Sequence, residues 1–292
     1  MTYIEVIFYI ICLGQIFLLS FYYPNKIIYR VNYILAHYPV ADYLKFYPTE
    51  IYVNPEKTTR ARLNIFKIMN HAIAIIGVLI LVTAILNNFK LDEKGGAEIF
   101  VVIYLFLQFI PHGLLEIFQY RHYKHYKHIK TTKIVSKRSA DLTPRNLFDF
   151  VSPILFFTAI ILYFAHIISF SYYEGFDQVW DMGVWITLIV STAINIGFGF
   201  MIYRYIKGWK LDPFQTDKDK IQIIKSNAYV LIITSIMMSL FYIIINSVRE
   251  YGLDIWEPIL MSVYFQFLII FGMGYLIHKI KVEDLDFEVY RT

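Results

Sequence analysis

Long apolar runs alternate along this chain with shorter, charged connections. Seven runs, at residues 4–22, 65–86, 98–119, 150–171, 183–203, 227–247 and 256–278, are each close to the roughly 20 residues that a helix needs to cross about 30 Å of hydrocarbon. The shorter alternating segments of a membrane β-barrel are not seen. Inside lipid every backbone N–H and C=O must be paired within the protein, so runs of this length must be helices. The pattern predicts an all-α, polytopic membrane helix bundle: seven transmembrane helices forming one integral membrane domain over residues 1–292.

Charge orients the bundle. The connections 23–63, 120–148 and 204–225 and the tail 279–292 carry 6, 8, 6 and 3 Lys/Arg, whereas 87–96, 172–182 and 248–255 carry 2, 0 and 1. Basic connections stay cytoplasmic. Seven spans then place the N-terminus outside and the C-terminus in the cytoplasm, in the plasma membrane or, in a bacterium, the inner membrane. Glu5 precedes the first run, and Lys26 and Arg30 follow it, the reverse of a cleaved signal. Trp180, Trp185 and Trp256 fall at the expected outer interface and Trp209 at the inner one.

Composition sharpens this picture only slightly. The chain is 58% hydrophobic and 17% charged, only mildly apolar in total; it is the clustering of apolar residues into long runs that excludes a disordered chain, a collagen, a disulfide scaffold and a conventional soluble enzyme. The single Cys12 excludes an internal disulfide framework. The net charge of +4 is explained by topology, so no nucleic-acid partner is expected; the expected partner is the bilayer.

The first basic connection holds Pro24, Pro39, Pro48 and Pro55. Residues 26–37 fit a short helix in the headgroup plane with Ile27, Val31, Ile34 and Leu35 toward lipid, or else an ordered linker with proline-set turns. In the second, Arg121, Lys124, Lys127, Lys130 and Arg138 belong to a run without acids that fits anionic lipid headgroups or a phosphate. Orientation by positive charge alone explains the same residues. His122, His125 and His128 have the spacing of a histidine box but lack the further clusters and acids a metal needs, so no metal site is assigned.

Candidate chemistry lies in polar residues within the runs, since such groups face the bundle interior or a wet cavity. In the third run Gln108, His112, Glu116 and Gln119 share a face, with Pro111 and Gly113 among them. The second run brings Lys67, Asn70 and His71 to a similar depth. The fifth carries Thr187, Ser191 and Asn195, then Gly197 and Gly199. The sixth carries Ser235, Ser239, Tyr242 and Asn246 on one narrow face, and the seventh Ser262 and Gln266. Small and weakly polar residues also serve helix packing. The candidate binding set is Asn70, His71, Gln108, His112, Glu116, Asn195, Ser239, Tyr242 and Gln266. His166 and Glu257 lie toward the outer ends of their runs, where interfacial water is expected to serve them.

Three functions fit these residues. A carrier or channel would line a polar path with them, and His112 with Glu116 would bind a proton or cationic group. A membrane-embedded enzyme acting on a lipid at the cytoplasmic face would use His71, His112 and Glu116 as metal ligands or as acid and base. A receptor or assembly subunit would dock a cytoplasmic protein on the larger inner connections. A retinal Schiff base is excluded, because the last run holds no Lys. No nucleotide-binding motif or nucleophile elbow is present, and no cofactor or oligomeric state is implied.

Overall fold

The computed structural model describes residues 2–47, 53–91, 96–133, 146–176, 179–180, 182–208, 211–212 and 214–291, with every side chain in them except those of Gln119, His122, Tyr123 and residues 125–133. Among the described residues every regular element is a helix. Seven helical segments are long and apolar enough to cross a membrane: Tyr3–His37, Pro55–Leu86, Gly96–Phe118, Pro153–Glu174, Met182–Ile206, Asp217–Glu250 and Asp254–Asp284. Each contains one of the seven apolar runs or matches it to within a turn. The chain is an integral, multi-pass membrane protein whose outward side chains, such as Ile75, Leu79 and Val82, suit contact with lipid tails. Lipid leaves no hydrophobic drive between helices, so close packing and internal hydrogen bonds must hold them. The chain divides into two compact units, Met1–Ser139 with Leu211–Lys220 and Ile277–Thr292, and Ala140–Lys210 with Ile221–Leu276.

The first unit begins with α1 (Tyr3–Phe17), opened by a reciprocal cap in which the Glu5 amide donates to Thr2 Oγ1 and the Thr2 amide to the Glu5 carboxylate. A π-helical turn, Leu18–Tyr22, joins it to α2 (Tyr23–His37). The cause is Pro24, which has no N–H and whose ring would collide with the carbonyl of Ser20 in a regular α-helix. The extra residue in the turn lets the Tyr23 amide reach back to the Leu18 carbonyl, and the helix continues. Then come α3 (Pro55–Leu86), capped by Asn54 Oδ1, and α4 (Gly96–Lys133), which runs through Pro111.

The α2 helix corrects the expected interfacial segment. It extends the first span directly, and Leu35 faces protein rather than lipid. Leu35, Tyr43, Tyr47, Val282, Phe287 and Tyr290 form a buried cluster, with Val31, Ile34 and Phe214 packed around it. Tyr38 stacks on Phe287 at 4.4 Å. Polar bonds ring the cluster: Tyr43 Oη donates to Glu288 (2.7 Å), Tyr290 Oη to Asp212 (2.8 Å), and Lys45 Nζ to the Arg291 carbonyl (2.7 Å). Parts of three basic segments, residues 31–47, Asp212 with Phe214, and the tail, therefore meet in this cluster.

The second unit comprises α5 (Pro153–Glu174), α6 (Met182–Ile206), the part of α7 (Asp217–Glu250) from Ile221 onward, and α8 (Glu257–Ile269), which a second π-turn, Ile270–Gly274, joins to the start of α9 (Tyr275–Lys279). Pro153 and Pro258 sit in the first turns of α5 and α8, where a missing N–H costs nothing. Gly175 ends α5 at φ 84°, which an L side chain rarely adopts. Stacked pairs Phe241–Tyr264 and Tyr229–Tyr275, each at 4.2 Å, join α7 to α8 and α9. Tyr163 and Thr192 hydrogen-bond between α5 and α6 at 2.8 Å.

The tail cluster carries a pH dependence. Its hydrogen bond from Tyr43, aided by Arg291, holds the Glu288 carboxyl below its ordinary value, and the same bond raises the Tyr43 phenol. The carboxylate contribution is present above the ordinary carboxylate range and is lost as pH falls through the lowered value. The phenol contribution is present below about pH 10 and is lost as pH rises through the raised value. Hydrogen-exchange protection of the Tyr290 and Arg291 amides should be greatest between roughly pH 5 and 9. Phe287→Ala should remove it at every pH, at a cost of about 3–5 kcal/mol locally. Protection that is level from acid to alkaline pH would contradict the assignment.

Candidate functional site

Widening the turn at Leu18–Tyr22 has a specific electrostatic consequence. The Tyr23 amide is spent on Leu18, and Pro24 has no amide to offer, so the Leu19 carbonyl has no helical donor. In α4, His112 supplies the missing hydrogen bond to the Leu19 backbone. Its Nε2 is buried with no partner, so the other ring nitrogen is the donor and Nε2 is left as a bare acceptor. Phe66 of α3 lies edge-on to the imidazole at 5.3 Å.

One helical turn away, Gln108 is buried at 1% exposure and bridges α4 to α1. Gln15 Nε2 donates to Gln108 Oε1 at 3.0 Å, and Gln108 Nε2 points at Ser20 Oγ (3.4 Å) and the Gln15 carbonyl (3.5 Å). Tyr104, a further turn along, donates to the Ile73 carbonyl of α3 at 3.0 Å. Gly77 makes that reach possible, since a Cβ there would lie 2.1 Å from the Tyr104 hydroxyl. These bonds form a network around the π-turn, while Tyr47 Oη, Glu98 Oε2 and Gln215 Oε1 elsewhere in the unit are buried without a partner.

In the second unit the unpaired atoms lie on one face of α7 or on the histidine stacked against it. Ser235, Ser239, Tyr242 and Asn246 form one face of α7. Ser235 Oγ bonds Asn195 Oδ1 of α6, and the Asn195 amide nitrogen turns back to the Ser191 carbonyl at 2.9 Å. Tyr242 stacks on His166 of α5 with ring centroids 4.6 Å apart and planes at 21°. His166 and Ser239 are 0% exposed and Asn246 is 3% exposed. Both His166 ring nitrogens, Ser239 Oγ and Asn246 Nδ2 have no hydrogen-bond partner in the protein. Leaving such groups unpaired costs roughly 1–3 kcal/mol each. Beyond them, Arg249 grips Glu257 through two bonds of 2.6 and 2.8 Å.

The expected site residues therefore divide. Gln108 and His112 share the π-turn network. Asn70 is buried but bonds only the Phe66 carbonyl of its own helix. His71 bonds the Lys67 carbonyl and lies against Phe21 at 5.3 Å. Glu116 is exposed and does not occupy His112 Nε2. Asn195, Ser239 and Tyr242 belong to the second unit with half-buried Gln266. Arg121 and Lys124 are exposed; the side chains of Lys127 and Lys130, with Arg138, Trp209 and the side chains of Gln119, His122, His125 and His128, lie outside the described residues. Among the described residues no three His, Cys, Asp or Glu gather to hold a metal, and His71, His112 and Glu116 form no such group.

Two expectations are corrected. His166 is sealed from the interface, and Glu257 is 7% exposed and held by Arg249 rather than by water. A methyl at Gly113, Gly197 or Gly199 would meet nothing within 4 Å, so none of them seats a neighbouring helix; Gly77 does. No protein-family model, curated protein or solved structure matches this chain.

The Gln15–Gln108 contact can be weighed directly. Gln108→Leu should destabilise the protein in detergent by roughly 1–3 kcal/mol, because Gln15 Nε2 loses this buried acceptor. Adding Gln15→Leu should cost clearly less than the sum of the single changes. Additive losses in reversible unfolding would show that the two amides are not coupled.

Proposed function

We propose that the protein binds a small polar solute within its helices and carries it across the membrane. Four unpaired polar atoms inside the second unit carry this reading: His166 Nδ1 and Nε2, Ser239 Oγ and Asn246 Nδ2. In hydrocarbon such atoms are retained at a cost only where water or a solute serves them part of the time. In the first unit Gln15, Ser20, Gln108 and Tyr104 are spent on hydrogen bonds around the π-turn and suit a supporting frame. Near that turn His112 Nε2 stays without a partner, an acceptor able to take a proton or a donor from a passing solute; Tyr47 Oη, Glu98 Oε2 and Gln215 Oε1 of the same unit are also buried without a partner.

The orientation proposed is the one the charges favour, with the basic connections and tail in the cytoplasm and the N-terminus outside. Arg121 and Lys124, exposed at the basic end of α4, then meet anionic headgroups, with Lys127, Lys130 and Arg138 continuing the same stretch of sequence.

Purified protein in vesicles should pass at least one of three probes, urea, glycerol or sodium nitrate, faster than empty vesicles, read by light scattering after an osmotic jump. His166→Phe and Asn246→Leu should each return that rate toward the empty-vesicle value while the protein stays monodisperse. Rates equal to those of empty vesicles for all three probes would count against transport.

A further inference from the structure

The unpaired groups of the second unit also specify what they would hold. Asn246 Nδ2 offers two N–H donors, a neutral imidazole offers one donor and one acceptor, and Ser239 can turn its hydroxyl either way. Donors outnumber obligate acceptors, and an imidazolium would add another. The carboxylates of this unit among the described residues are elsewhere. Glu257 is committed to Arg249, while Asp149, Glu250 and Asp254 are exposed at helix ends and Glu174 is the last residue of α5. Among the described residues a cation would find no counter-charge in this cluster. A ligand made of acceptors would satisfy every unpaired donor.

We infer that His166, Ser239 and Asn246 form a binding site for a compact monovalent anion, taken up together with one proton on the His166 ring. The proton supplies the positive charge that the cluster lacks, so anion and imidazolium enter the interior as a neutral pair. Tyr242 covers one face of the ring and leaves the edge nitrogens to make the contacts. Among the described residues no other titratable group pairs with the His166 ring, and Phe170 of its own helix is the second ring beside it. Tyr163 is turned to Thr192, Tyr264 lies on Phe241, and Arg249 with Glu257 is about two turns further along α7. Anion and proton therefore act mainly on each other: each raises the affinity of the site for the other. This inference rests on the proposed function only in requiring that polar solutes reach this interior.

Equilibrium binding tests it without any transport step. The full chain, with its eight histidines labelled with nitrogen-15, is titrated in detergent with sodium nitrate and with sodium formate. Sodium gluconate, too bulky for the site, keeps ionic strength constant. His166 is assigned from the signal lost in His166→Gln or, if that variant does not fold, from contact with the Tyr242 ring. Both His166 nitrogens should move saturably to the imidazolium position with nitrate, formate or both. Apparent affinity should fall roughly tenfold per pH unit above the free ring's titration, the signature of one linked proton. Asn246→Asp, which replaces the donor by a carboxylate of equal shape, should weaken binding by roughly tenfold or more. A ring that keeps its starting form with both anions, or responds equally to gluconate or to urea, would overturn the inference. Anion binding without flux through vesicles would remove the transport reading and leave this one. Flux of urea or glycerol without anion binding would do the reverse.

Discussion

Hydrocarbon offers no hydrogen bonds, so each polar group placed in it must find a partner on the chain or in something the chain admits. The Leu19 carbonyl shows how strictly this acts. Pro24 removes one donor, the widened turn commits another to Leu18, and His112 from a different helix closes the gap. A helix break that water would repair in a soluble protein here fixes how α1 and α4 meet. Gln15, Ser20 and Gln108 then join around the same turn, and Gly77 admits Tyr104 to the Ile73 carbonyl.

The two units answer the same constraint differently. In the first, Gln15, Gln108 and Tyr104 are used in joining helices, and Glu116 is exposed. In the second, Ser235 and Asn195 satisfy each other, yet the next three polar residues along α7 lead to a sealed histidine with neither nitrogen paired. On this face of α7 and its histidine, four polar atoms are left without a partner. The tail cluster follows a third logic: aromatic residues of the tail and of the segment after α2 make a small conventional core, ringed by Tyr43, Glu288 and Asp212.

Much of this was legible in the residues. The seven apolar runs are long enough that only helices could span them, and the shared face of Ser235, Ser239, Tyr242 and Asn246 follows from helical spacing alone. What escaped notice depends on contacts between distant segments. Leu35 looks lipid-facing until Phe287 and Tyr290, some 250 residues later, cover it. His166 looks interfacial because its place along α5 says nothing of Tyr242 stacking above it. Pro24 signals a disturbance, but a π-turn and a stop are equally consistent with a proline in sequence. Gly77 stands among exposed Ile and Val, and only the tyrosine opposite gives it a purpose.

Admission of polar molecules to the second unit is the claim on which the functional account turns. Water-edited nitrogen-15 spectra of the histidine-labelled protein in bilayers test it most directly. Magnetisation should pass from water to the His166 ring as rapidly as to a histidine at the membrane surface, although no protein group bonds that ring. A His166 signal that receives nothing from water, in a folded protein whose other histidines do, would show a dry interior and contradict the account.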